Sequence, residues 1–116
     1  TIARERVTIT SFVPSMLDVF VAELAELAEL SKGSCTSLRA VLVAGEALPA
    51  RTVTRLRAAL PGTAVHNLYG PTEFTVHATE IELSGDEAIV PIGTPVRNSQ
   101  VYVFDNRLRL VPPGVP

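Results

Sequence analysis

The chain has one cysteine, no tryptophan, two tyrosines and four phenylalanines in 116 residues. A lone cysteine excludes an internal disulfide, and no Cys or His grouping has the spacing of a zinc site. Cys35, in "KGSCTS", has no neighbouring His or helix start to stabilise a thiolate, so it reads as a spectator thiol in a loop. No charge of one sign prevails either: ten Lys and Arg against twelve Asp and Glu give a net charge of -2. That removes the electrostatic footprint of a nucleic-acid or anionic-membrane partner. No apolar run reaches the roughly 18 residues of a spanning helix. The opening "TIARERVTIT" lacks the basic-then-apolar order of a signal peptide, so the cytoplasm is the expected location. A glycine-rich phosphate loop of the Walker or dinucleotide type is absent as well.

What is present is ordinary folded material, 47% hydrophobic and 19% charged, enough for one domain or part of one. "RVTITSFV" (6–13) is rich in β-branched residues and predicts a strand that Pro14 ends. A helix should follow, capped by Ser15, with Leu17, Phe20, Val21, Leu24, Leu27 and Ala28 in one stripe, Glu23, Glu26 and Glu29 opposite, and Leu30 off the stripe. "AELAELAEL" is too short for a solenoid repeat and reads as a plain amphipathic helix, stopped by Gly33.

The apolar run from Ala40 to Ala44, ending at Gly45, predicts a strand buried on both faces of a parallel sheet. Pro49 suits the first turn of a second helix carrying Val53, Leu56 and Leu60 on one side, which Pro61-Gly62 ends. "TAVHNLYG" (63–70) is the next strand. Residues 1–73 thus read as a βαβαβ unit with right-handed crossovers. After it, "FTVHATEIEL", "AIVPIG" and "QVYVFD" lack helical spacing and predict an antiparallel β-rich extension over 74–116, with a turn at Asp105-Asn106. The fold class expected is α/β: a partial parallel sheet with flanking helices, then the antiparallel extension.

In such a sheet, ligands bind beyond the carboxyl ends of the strands, where "AGEAL" and "NLYGPTE" should lie side by side. Gly45 lets a flat ligand approach the backbone, and Tyr69 offers a π-face. Asn67 can donate and accept through one amide, Thr72 brings a hydroxyl, and Glu73 a hard oxygen ligand suited to Mg²⁺. Taken singly, each has a plainer use: Gly70-Pro71 as a tight turn, Asn67 in satisfying local backbone groups. Glu46 and Glu73 form an acid–base pair only if the fold brings them together, and His66 and His77 read as packed or surface imidazoles.

The combination is more specific than its parts. "NLYGPTE", preceded by "TITSFVPSML" and "VLVAGEAL" and followed by "PIGTPVRNSQVYVFD", resembles the middle of an adenylation domain of a nonribosomal peptide synthetase, in order and over nearly the whole chain. The resemblance implies that the chain is an internal fragment of such a domain's N-terminal core. The parent would activate an amino acid with ATP and Mg²⁺ to an aminoacyl-adenylate and pass it to a carrier domain's phosphopantetheine thiol. It places the backbone of Gly45, Glu46 and Ala47 on one face of adenine, Tyr69 on the other, Asn67 at the adenine amino edge, Thr72 on a phosphate and Glu73 on the metal, and counts Gly70 among the nucleotide-binding residues. The amino-acid pocket it implies runs along Ser11, Leu42, Ala44, Leu68, Val76 and His77. The family's phosphate loop and amine-binding aspartate are expected before residue 1, and its ribose aspartate and catalytic lysine after residue 116, so the fragment alone is expected to be inactive. Two other readings stay open on sequence: an acyl- or aryl-CoA ligase of the same superfamily, and a non-catalytic binding module on the same scaffold.

Overall fold

The structure, a computed structural model, describes residues 1–30 and 35–114, with side chains for all of these except 27–30. Strand β1 (Ile9–Phe12) leads into helix α1 (Pro14–Leu30), strand β2 (Ala40–Val43), helix α2 (Ala50–Ala59) and strand β3 (Ala64–Tyr69). A 3-10 turn at Thr72–Phe74 then precedes the short strands β4 (Thr79–Glu82) and β5 (Thr94–Pro95). The strands form one sheet in chain order, β1-β2-β3-β4-β5. β1, β2 and β3 pair in parallel, from Ile9↔Ala40 and Ala40↔Ala64 to Phe12↔Val43 and Val43↔Asn67. β4 is antiparallel to β3, and β5 to β4.

β1 is shorter than the expected 6–13 because the backbone before it is used locally: Glu5 N–H donates to Thr1 O at 2.9 Å and Val7 N–H to Ile2 O at 3.0 Å. In α1 the stripe forms with Leu17, Val21 and Leu24 buried and Phe20 half-buried, its ring stacked 4.9 Å from Phe12. Glu23 and Glu26 face solvent. Expectations for Leu27, Ala28, Glu29 and Leu30 fall on side chains outside those described, and the stop at Gly33 lies outside the described residues. Ser15 is not the side-chain cap expected of it: it lies within the first turn and donates to Glu46.

Helix α2 buries Thr52, Val53 and Leu56, while Leu60 ends it half-buried. A sheet laid down in chain order with crossovers of one hand carries both helices on the same face. They pack on each other there, and Thr52 donates a hydrogen bond to Asp18 Oδ1 at 2.6 Å. Val41, Val43 and Val65 point into that layer and are fully buried. Each such side chain contributes about 1.5–3 kcal/mol relative to leaving it exposed.

Among the described residues no helix covers the second face, which corrects the reading of β2 as buried on both sides: Ala40 and Leu42, alternating with the buried valines, are only half-buried. Cys35 is a free thiol in the turn at 35–37, as expected, and its side chain is 8% exposed and packs in the core cluster.

The antiparallel extension forms, but with less strand than expected. "AIVPIG" is not a strand, and "QVYVFD" contributes only an isolated bridge between Phe104 and Leu110. Pro91 has no N–H for a ladder, and side chains take up carbonyls of this segment in its place: Asn67 donates to Pro91 O at 2.8 Å and Thr79 to Ile92 O at 2.5 Å. The expected turn at Asp105 is present, with Leu108 N–H donating to Asp105 O at 3.0 Å. The Asp105 carboxylate accepts from the Arg109 N–H, the Arg109 guanidinium and the Arg107 N–H, which holds its carboxyl below the usual range. Among the described residues no helix is long and apolar enough to cross a membrane.

Candidate functional site

Parallel pairing of β2 with β3 brings their carboxyl ends together, so the loops after Val43 and after Tyr69 rise from adjacent strands. Between them lies a cleft of about 600 Å³. Its walls include Gly45, Glu46 and Ala47 from the first loop and Asn67, Leu68, Tyr69 and Gly70 from the second. Six of the eight residues assigned to the nucleotide by resemblance therefore share one cavity. Thr72 and Glu73 do not line it; they sit just beyond, in the exposed 3-10 turn.

Local geometry explains the chemistry on offer. Gly45 has φ +95°, a conformation side chains rarely adopt, so the first loop presents bare backbone to the cleft. Tyr69 ends β3 with 53% of its surface exposed, leaving its ring free to take a flat partner. Asn67 is only 6% exposed, and its amide nitrogen is committed to Pro91 O. That commitment fixes the amide and leaves Oδ1 as its acceptor. Gly70 lies directly against the His77–Ala78 backbone, and Ala78 N–H donates to Tyr69 O at 2.8 Å, so the 70–78 loop folds back onto the strand it leaves.

Sequence reasoning missed one wall of the cleft, formed by Ala88, Ile89, Val90 and Ile92. Its apolar run was visible; its position was not, because the bond from Asn67 that anchors it spans 24 residues. Glu87, just before this wall, accepts from the Ser84 N–H at 2.7 Å, the Ser84 hydroxyl at 2.8 Å and the Gly85 N–H at 2.9 Å. Partial burial pushes its carboxyl up, but these bonds outweigh it and bring it to about 2.

The residues assigned to the amino acid occupy another part of the sheet. Ser11 and Leu42 are register partners on the face without helices, and His66 follows in register beside Leu42. Leu68 shares that face by strand alternation and also borders the cleft, so the two sets meet there. Ala44 continues β2, its N–H donating to Phe12 O at 3.2 Å. Val76 is 70% exposed at φ +82°, and the half-buried His77 has a buried Nδ1 with no partner among the described residues.

The two carboxylate oxygens of Glu46 accept from the Ser15 N–H and hydroxyl, both at 3.1 Å. Glu73 is exposed and bonded to no described residue, so its oxygens are free for a metal. No group of three or more potential ligands occurs among the described residues. A single carboxylate fits Mg²⁺, which dehydrates reluctantly and completes its octahedron with water and phosphate oxygens.

The family model for AMP-binding enzymes matches residues 1–116. The chain belongs to the AMP-binding enzyme family. Among curated relatives it is 44% identical over 115 residues to phosphinothricin tripeptide synthetase PhsB of Streptomyces viridochromogenes, covering 99% of this chain and 9% of that protein. It is likewise 44% identical over 115 residues to enterobactin synthase component F of Escherichia coli K12, covering 94% of the chain and 9% of the relative. The chain thus spans less than a tenth of these relatives' length. The nonribosomal peptide synthetase FmoA3, in a form bound to α-methyl-L-serine-AMP, superposes with a TM-score of 0.86 at 29% identity, over 96% of this chain and 13% of that one. These matches bear out the resemblance read on "NLYGPTE" and "PIGTP" and the α/β class: the fold is that of the N-terminal core of peptide-synthetase adenylation domains.

Proposed function

We propose that the chain is an internal segment of one amino-acid-activating adenylation domain, a βαβαβ half over 1–73 and a β-rich extension over 74–116, and that it supplies half of the adenylate-forming site. The observation that carries this reading is the cleft in which the bare backbone of the Gly45–Ala47 loop and the free ring of Tyr69 stand around the fixed amide of Asn67. A purine fits between them, with its amino group donating to Asn67 Oδ1. Support also comes from FmoA3, which matches this chain in forms bound to an aminoacyl-AMP and to AMPPNP.

In this reading Thr72 donates its hydroxyl to a phosphate oxygen, and Glu73 is the carboxylate that holds Mg²⁺. When bound, the metal supplies charge neutralisation at the phosphates undergoing displacement. Ser11, Leu42, Ala44, Leu68, Val76 and His77 line the amino-acid side. The parent protein condenses the amino-acid carboxylate with ATP, releases pyrophosphate, and transfers the acyl group to a carrier domain's phosphopantetheine thiol, in the cytoplasm. The segment alone does not form adenylate, because electrostatic stabilisation of the reacting phosphates needs a fully assembled site.

Pyrophosphate exchange by the full-length parent, run across a panel of amino acids and of aryl and fatty acids, tests the assignment. Amino-acid-dependent exchange is expected. Exchange with aryl or fatty acids alone would assign an acyl-CoA ligase, and no exchange with any acid would leave a binding module.

A further inference from the structure

Helix α1 begins without a cap of its own. The residue before it is Val13, which has no side-chain acceptor; Pro14 has no N–H; and the first turn contains no acidic residue. A helix of 17 residues nevertheless has free N–H groups and partial positive charge at this end. The carboxylate that meets them comes from Glu46, 31 residues later in the chain, with both oxygens on Ser15. Glu46 belongs to the loop whose backbone lines the cleft, and a Cβ added at Gly45 beside it would meet Val13 at 3.4 Å.

We propose that Glu46 is a positioning residue: by capping α1 from outside, its carboxylate holds the Gly45–Ala47 loop in the shape that accepts the adenine face. This rests on the proposed adenylation reading for its ligand, while the contact itself stands on the geometry. The loop needs such a tie. It carries a left-handed residue, is exposed from Gly45 to Ala47, and has no other side-chain bond among the described residues. Tying it to a helix rooted in the core by Leu17 and Val21 converts helix rigidity into loop rigidity. Preorganisation of this kind is read in affinity, since the ordering cost is met before the ligand arrives.

Three variants of the full-length protein test it: Glu46→Ala, Glu46→Gln and Ser15→Ala, with the Glu46→Ala/Ser15→Ala double variant. Expected are a rise of about tenfold in KM for ATP for Glu46→Ala, as for loss of a charge-assisted bond pair, with KM for the amino acid unchanged, and partial rescue in Glu46→Gln. The double variant is expected to be no worse than Glu46→Ala. An unchanged KM for ATP with only a lowered melting temperature, or additive effects in the double variant, would overturn the proposal. Hydrogen exchange at the Ser15 and 45–47 amides reads the tie without activity: faster exchange in Glu46→Ala supports it, and unchanged exchange refutes it. Failure of the unmodified protein to exchange pyrophosphate would count against the adenylation reading alone.

Discussion

Val76 holds a constrained backbone conformation near the site. A β-branched side chain at φ +82°, directly after Thr75 at φ +55°, costs on the order of 1–3 kcal/mol, and such strain persists where surrounding structure overrules it. Val76→Gly should raise the unfolding transition of the domain, by about 1 kcal/mol after glycine's own entropic cost, in a thermal-unfolding measurement. Lowered stability would mean that the Val76 side chain makes contacts worth more than the strain. Glu73 makes a separate prediction. If it is the metal's carboxylate, Glu73→Gln raises the Mg²⁺ concentration for half-maximal exchange by at least about tenfold, the scale seen when partners of metal sites are removed. An unchanged Mg²⁺ dependence would place the metal elsewhere.

At the scale of elements, much of the parallel half was legible because its signals are local. The stripe Leu17, Val21, Leu24, the run from Ala40 to Val43 and the stop at Gly70-Pro71 each act within a few residues. The wall at 88–92 was not legible, since what holds it is the Asn67 amide and the Ser84–Glu87 turn rather than strand periodicity. The same limit hid Glu46 on α1: a cap supplied across 31 residues leaves no mark on the helix's own sequence. The Glu87 turn makes the wall sensitive to acid. Its carboxyl is lowered from 4.5 to about 2 in the folded chain, so its contribution to stability is fully present above about 4.5 and is lost as pH falls toward about 2. Glu87→Gln should flatten the loss of stability in that window, as followed by denaturant unfolding at a series of pH values. An unaltered pH profile would show that other carboxylates control it. Gly93, in "PIGTP", has φ +84° and an added Cβ would land on the carbonyl of Glu80. Gly93→Ala is therefore expected to destabilise the β4–β5 pairing by at least about 2 kcal/mol in the same assay, and a neutral effect would contradict the close approach.

Over the whole molecule, the chain is elongated, with extents of 57 × 27 × 21 Å and a radius of gyration of 16.6 Å. A compact chain of this length would measure about 13 Å. The excess accompanies an arm in which Val101, Tyr102, Val103, Phe104, Leu108 and Leu110 are all half or more exposed, together with a sheet face that no helix among the described residues covers. Both are expected to be interior surfaces of the larger adenylation domain, and in the proposed reading the cleft is one side of a site completed by other parts of the parent. The central claim is that adenine lies between the Gly45–Ala47 backbone and the Tyr69 ring. Calorimetric titration of the full-length protein and its Tyr69→Ala variant with ATP and Mg²⁺ tests it most directly. Loss of base stacking predicts affinity lower by about 1–3 kcal/mol, roughly 5- to 150-fold, with Tyr69→Phe close to the unmodified protein. Equal affinity for ATP in the unmodified protein and Tyr69→Ala would contradict it.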